Sequence, residues 1–444
     1  MTRVLALDVG TSSVRAQVFG DGAEPEGDAA KEQYRTDNPD EIVGLVRAAI
    51  GDRADGADAV GASCFGHSLL ALDDDGKPLT PVLGWRDPRS ADAADWLARL
   101  LDPQAVHART GCHIHTSYWP AKLAWLAEEE PDVFRRARFV SFAEYLYAQL
   151  LGEGIVPTSL SLASGTGLVN LHTRRWDEEL LTVLGVDEDR LPRIADGPVG
   201  NWFPAWLDGA CSNVGAGCLT RERAALMIGT SGALRVLYET ETPMPRPGLF
   251  LYRLDERRVV EGGALSDGGN LYYWLGDVLR DAEGSLGDRD PDSHGLTFLT
   301  LLGGERSPGW HLHVNGAIHG LTFETTALDI RQAALEGVAF RFAEVADLMP
   351  ELDEIVATGG ALVHDEDWCQ IMADALARPI TSSPVQEASL RGAAVLALER
   401  LGERAPSAET GRVFEPRPEK ADAFRAARDR QRALYRAATG AETS

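Results

Sequence analysis

Two short stretches carry the residue types of phosphate chemistry. VLALDVGTSSVRAQVF, near the start of the chain, alternates like a pair of strands but breaks at Asp8 and at the turn Gly10–Ser13. MIGTSGALRVLY, at Met227–Tyr238, repeats the plan of strand, GTS turn and strand. Glycine lets successive backbone N–H groups converge on one anion, and threonine and serine hydroxyls add donors. Two such turns facing each other across a cleft could hold the β- and γ-phosphates of a nucleotide without any lysine. No GxxxxGK[ST] occurs, so the protein is not of the P-loop type. One GTS turn alone is equally a plain hairpin turn. A third glycine element, Gly359–Gly360 in IVATGGALVHDEDWCQIMADAL, reads as strand, turn and helix. Glycines there let backbone approach adenine and ribose, although a tight strand-to-helix turn accounts for them as well.

Two aspartates accompany the turns. Asp8 ends the first strand, and Asp208 lies in WLDGACSNVGAG, where small residues leave room for a ligand. A phosphate-bound Mg²⁺ needs one or two carboxylates plus water, and phosphoryl transfer to a hydroxyl needs a group to accept its proton. Asp8 and Asp208 could fill these two roles. An isolated Asp–Gly is commonly only a turn, so the assignment depends on its company.

The elements that must position these residues alternate between strand and helix. Val4–Leu7, Val14–Phe19, Ala59–Cys64, Leu226–Ile228, Ala233–Tyr238 and Ile355–Ala357 read as strands. Asp40–Ile50, Ala91–Leu101, Ala121–Glu130, Asn270–Leu279, Asp329–Met349, Asp367–Ala377 and Ser389–Gly402 have helical spacing, while Asn201–Asp208 stays ambiguous. The alternation predicts an α/β architecture. The repeated hairpin predicts a duplicated fold with a cleft between its lobes, residues 1–218 and 219–444, divided after a Gly-rich segment at Asn213–Gly217. A length of 444 residues also favours two domains. The charged tail Ala421–Ala438 reads as a solvated surface helix.

A net charge of -25 argues against nucleic acid or an anionic membrane as partner. Five scattered cysteines without a CxxC pair predict a reduced, cytoplasmic protein. No secretory leader is recognised, and no apolar run approaches the ~18 residues that span a bilayer. His311, His313 and His319 lack carboxylate or cysteine company at metal-ligand spacing and read as structural.

The chain resembles the FGGY carbohydrate kinases, the family that includes glycerol kinase, xylulokinase and a class of gluconokinase. The resemblance rests on LDVGTSSVRAQVF, SLASGTGLVNLHTRRWDEELL, DGACSNVGAGC, MIGTSGALRV, SDGGNLYYWL, and QAALEGVAFRF running into ATGGAL, in that order up to about Leu401. It implies two ribonuclease-H-like, actin-type domains, with ATP and sugar meeting in the central cleft. It places Thr11, Ser12, Ser13, Gly229, Thr230 and Ser231 at the ATP phosphates, and Gly359, Gly360 and Ala361 beside the adenosine. Asp8 takes the position of an aspartate that helps hold Mg²⁺, and Asp208 that of the catalytic base, also near the metal. Phe65, His67, Trp85, Arg86, Asp87 and Tyr118 fall at sugar-contacting positions. CFGHSLL, SYWPAKL and GERSPGW are most similar to gluconokinase-type members, and Arg86 is the cation expected for a sugar carboxylate. The implied partners are ATP and a small sugar or sugar acid, gluconate before xylulose, and a homodimer is allowed. A non-catalytic nucleotide-binding protein of the actin type is the rival from another class. One segment departs from the pattern: LPRIADGPVGNWFPAWLDG runs almost directly into Asp208 where members carry a longer stretch. That shortening predicts an altered pocket wall.

Overall fold

The computed structural model describes residues 2–280, 284–287 and 289–440. Its first sheet has five strands in the spatial order Pro25–Gln33, Ser13–Phe19, Val4–Val9, Ala59–Cys64, Trp206–Leu207. Val4–Val9 is central and wholly buried, which is why it reads as a nearly continuous apolar run. It runs antiparallel to Ser13–Phe19 and parallel to Ala59–Cys64.

The second sheet repeats this core. Arg223–Ile228 pairs antiparallel with Gly232–Glu239 and parallel with Glu354–Thr358, and Arg258–Leu265 continues the antiparallel side. Phe250–Arg253 at one edge, and Ile380–Ser382 followed by Val413–Phe414 at the other, extend it to seven. The duplicated hairpin therefore seeds two sheets of the same topology, the ribonuclease-H-like pair expected from the sequence. Six strands of these two sheets were not foreseen, and three show why. Pro25–Gln33 is an exposed edge rich in charge, Trp206–Leu207 has two residues, and RVVEGGAL at Arg258–Leu265 carries glycines that mask its apolar pattern.

Two helices join the lobes. Asp208–Gly215 follows the first sheet's last strand, and Ala388–Arg400, from the second half of the chain, returns to pack on it and on strands Val4–Val9 and Ala59–Cys64. Their crossing is unusually close. A Cβ on Gly215 would sit 1.8 Å from the Ala388 carbonyl oxygen, and one on Gly392 would sit 1.8 Å from that of Cys211. This corrects the reading of Asn213–Gly217 as a Gly-rich connection. Residues up to Gly215 are helix, and the glycine is there for backbone contact rather than for a loop.

The remaining predicted helices form within a few residues of their expected ends, including a surface helix at Ala421–Thr439. That last helix buries Phe424, Ala427 and Gln431 and exposes most of its charged side chains.

Candidate active site

Asp8 is the polar exception on a buried strand, and its neighbours in the sheet explain how it is tolerated. Register places Arg15 opposite it on one side and Ser63 on the other. Ser63 Oγ donates to Asp8 Oδ1 at 2.8 Å, and an Arg15 Nη donates to Oδ2 at 3.0 Å. Burial raises the Asp8 pKa, and the Arg15 charge and both hydrogen bonds work against that rise. The corresponding position of the second hairpin is Met227, which lies opposite Ala233 and Thr358. The repeat thus keeps its turn twice and its carboxylate once.

Strand Trp206–Leu207 runs parallel to Ala59–Cys64 and delivers Asp208 to the first turn of the helix that follows. The half-buried carboxylate accepts from its neighbour, with Gly209 N–H donating to Oδ1 at 2.7 Å. Burial raises the Asp208 pKa, the Arg235 cation pulls it back, and the Asp8 charge adds to the rise. Both aspartates are therefore close enough to repel. Asp208 lines a cavity between the lobes. The first lobe contributes Phe65, His67, Trp85 and Tyr118 to that cavity, and the second contributes Ser231, Arg235, Tyr252, Arg306 and Trp310.

A neighbouring cleft shares Phe65 and Trp85 with this cavity and brings Thr11 and Ser12 together with Thr230 and Arg86. The two turns do face each other. Gly10 N–H closes the first onto Ser13 O at 2.9 Å, and Gly229 N–H closes the second onto Ser231 O at 3.0 Å. Ser13 itself is buried at the start of its strand. Helix Gly269–Val278 begins directly under the second turn, with Gly269 and Asn270 N–H donating to Gly229 and Thr230 carbonyls. Gly359 has φ 85° and lies against Ile228, where a Cβ would be 2.5 Å from its oxygen, so glycine is required. Ala361 lies beside Gly269, so Gly359–Ala361 and the second turn form one surface.

The sugar-side residues are less uniform. His67 has φ 65°, rare for a residue with a side chain, and its Nδ1–H donates to the Gly165 carbonyl. Burial lowers its pKa to about 3, so the ring is neutral and Nε2 is an acceptor. Tyr118 O–H is already engaged with Tyr252 O–H at 2.6 Å, a bond that crosses between the lobes. Asp87 does not line the cavity, and Arg89 occupies its carboxylate through Nε at 2.9 Å. Arg86 is exposed, over the Trp85 ring.

Sequence reasoning missed Arg235, Tyr252, Arg306 and Lys122. Lys122 is buried and donates to the His67 and Ser117 carbonyls at 2.7 and 2.8 Å, fixing the strained His67 backbone, and burial pulls its pKa down to about 7. It had a signal, as one of only four lysines, inside SYWPAKL. Arg306 likewise stood inside GERSPGW. Tyr252 had no signal beyond an aromatic strand. Of the shortened stretch, Leu207, Asp208 and Gly209 line the cavity and residues 191–206 do not, and the closing side comes from Tyr252, Arg306 and Trp310. His313 pairs with Asp95 at 2.9 Å and His311 lies beside Tyr435; among the described residues no side-chain cluster could hold a metal ion by itself.

With two lobes built on one plan, a carboxylate cavity between them and a neighbouring cleft between their turns, the molecule falls in the actin-like class of ATP-dependent phosphotransferases. Residues 3–198 match the N-terminal domain of the FGGY family of carbohydrate kinases and residues 224–399 its C-terminal domain. The chain belongs to that family, whose members phosphorylate an alcohol group of a sugar and use ATP as co-substrate. It is 29% identical to gluconokinase of Bacillus subtilis over 90% of this chain and 88% of that one. It is 30% identical to glycerol kinase of Aromatoleum aromaticum over 89% and 90%. Among solved structures it superposes on xylulose kinase of Lactobacillus acidophilus with a TM-score of 0.89 at 26% identity, over 100% and 99% of the chains. Gluconate kinase of the same organism gives 0.87 at 26%, over 98% of each. Among the described residues no helix is long and apolar enough to cross a membrane.

Proposed function

We propose that this kinase transfers the γ-phosphate of ATP to a hydroxyl of gluconate or a closely similar sugar acid, with Asp208 as the base. The observation that carries the reading is Asp208 itself, half-buried with a raised pKa in a cavity that the second phosphate turn also lines. Gluconate is favoured by the curated gluconokinases at 29% and 28% identity and by the solved gluconate kinase. The likeness to a ligand-bound xylulose kinase keeps a ketopentose as the second reading.

In this mechanism Thr11 and Ser12 receive the phosphates from one lobe and Gly229, Thr230 and Ser231 from the other, with Ser13 shaping the first turn. Gly359, Gly360 and Ala361 border the adenosine. Residues 1–218 form the sugar side and residues 219–444 the nucleotide side. Phe65, His67 and Trp85 contact the sugar, Arg86 lies over the Trp85 ring on the side of the phosphate turns, Tyr118 packs beside the sugar, and Asp87 holds Arg89. The hydroxyl oxygen attacks the γ-phosphorus, the bond to the β–γ bridging oxygen breaks, and ADP leaves with that electron pair. Because Gly209 holds Oδ1, Oδ2 of Asp208 takes the hydroxyl proton. Two mutually repelling carboxylates, Asp8 and Asp208, suit a Mg²⁺ held largely through water. The ion would supply charge neutralisation at the β- and γ-phosphates. Five buried free cysteines agree with a cytoplasmic setting. A homodimer, to be checked by light scattering, belongs to the same reading.

The test is coupled ADP release over gluconate, xylulose, ribulose and glycerol, with Asp208→Asn alongside. Gluconate turnover should exceed the others. The variant should lose roughly 10²–10⁴ in kcat while ATP affinity stays within about threefold. Turnover indifferent to Asp208→Asn would refute the base assignment, whereas ATP binding that is indifferent to Asp208→Asn, with none of the four substrates phosphorylated, would favour a non-catalytic nucleotide-binding protein.

A further inference from the structure

The cavity is lined by two cations, Arg235 and Arg306, and by one carboxylate, Asp208. Arg306 is only 8% exposed, yet among the described residues it makes no ion pair. Its Nη2 donates to the Leu265 carbonyl at 2.8 Å, and its buried Nε has no partner. Its guanidinium lies 4.1 Å from the Trp85 ring centroid, and Arg86 lies 4.6 Å over the same ring. Two guanidiniums that share one indole repel, and burial together with Arg86 lowers the Arg306 pKa to about 10. Asp208 acts on Arg306 from the same cavity but also balances Arg235. Asp267 faces both Arg86 and Arg306, but it is not on the cavity wall, Gly303 N–H occupies its Oδ1 at 2.9 Å, and burial raises its pKa to about 6. A desolvated guanidinium with an idle N–H is costly unless something completes it. A carboxylate presents the acceptor geometry that matches a guanidinium edge.

We propose that Arg306, braced on Trp85, receives the carboxylate of the sugar-acid substrate and so sets the preference for aldonates over neutral sugars. The inference rests on the gluconate reading above. Arg306 is preferred to Arg86 because it shares the cavity with Asp208, whereas Arg86 is exposed and opens onto the cleft of the phosphate turns. One substrate can then span from Arg306, at its carboxylate, to Asp208, at the hydroxyl to be phosphorylated.

Calorimetric binding and steady-state kinetics with D-gluconate and D-glucitol, which differ only in carboxylate against CH₂OH, test this on the full-length enzyme. Arg306→Gln should weaken gluconate relative to glucitol by roughly 10- to 100-fold, and Arg306→Lys should recover part of that difference. Equal losses for the two ligands, or no loss for either, would overturn the proposal, since a merely structural role weakens both alike. If wild-type enzyme binds gluconate in an Arg306-dependent way without phosphorylating it, the gluconate reaction fails and the Arg306 site stands. If it phosphorylates gluconate with no Arg306-dependent discrimination, the reverse holds. If it does not bind gluconate at all, both fail.

Discussion

Replacing Gly392 by alanine tests whether the crossing of the two interlobe helices sets the position of Asp208, the proposed base. The added Cβ would lie 1.8 Å from the Cys211 carbonyl oxygen and 2.5 Å from its carbon, where ordinary contact begins near 3.4 Å. No flexible side chain can yield, because the obstacle is backbone. The helices must therefore part by about 1.6 Å, and overpacking of this kind costs roughly 1–3 kcal/mol. Asp208 begins one of those helices, three residues from Cys211. A displacement of about 1 Å in a catalytic group lowers rate on the order of 10²-fold. Gly392→Ala should accordingly lower kcat about 100-fold and the melting temperature by several degrees, with ATP binding retained. Gly44→Ala serves as the control, because it lies on an exposed helical position with nothing within 4 Å of a new Cβ. Coupled ADP release, differential scanning calorimetry and nucleotide titration read the three quantities. A Gly392→Ala enzyme with wild-type kcat and melting temperature would refute the claim that this crossing positions Asp208.

Arg235 holds the Asp208 pKa down, so Arg235→Gln should raise it. More of the base is then protonated at any acidic pH, and the acid limb of the kcat/KM profile should move to higher pH; a limb that stays or moves down would contradict the assignment. Tyr118 and Tyr252 share one hydrogen bond worth about 1 kcal/mol, so Tyr118→Phe and Tyr252→Phe should each raise the sugar KM about fivefold. The double variant should cost no more than either single one; additive losses would show that the two hydroxyls act separately.

What the sequence made legible followed from local rules. Both hairpins were visible because a buried central strand must be apolar and its turn must not be, and their recurrence pointed to a duplicated fold, while the ribonuclease-H-like form was implied by the resemblance to the FGGY kinases. Asp8 and Asp208 were visible as carboxylates breaking apolar or small-residue patterns. Arg306 stood in a recognised motif and Tyr252 in none, but neither was assigned, since the place of both depends on the second lobe folding against the first. Pro25–Gln33 was missed for the opposite reason: an exposed edge strand need not alternate. Gly215 and Gly392 were open to misreading because a glycine that admits another backbone and one that makes a loop look alike in sequence.

The return of helix Ala388–Arg400 to the first sheet also has a consequence during synthesis. Leu390, Ala393, Ala394 and Ala397 are fully buried when the chain is complete. When residues 1–218 have left the ribosome, the face they cover is still bare, and roughly 180 further residues must follow, or about 10–35 s at 5–20 residues per second. The half-made chain thus leaves this apolar face open to water, and the nascent first lobe gives a chaperone a surface to protect.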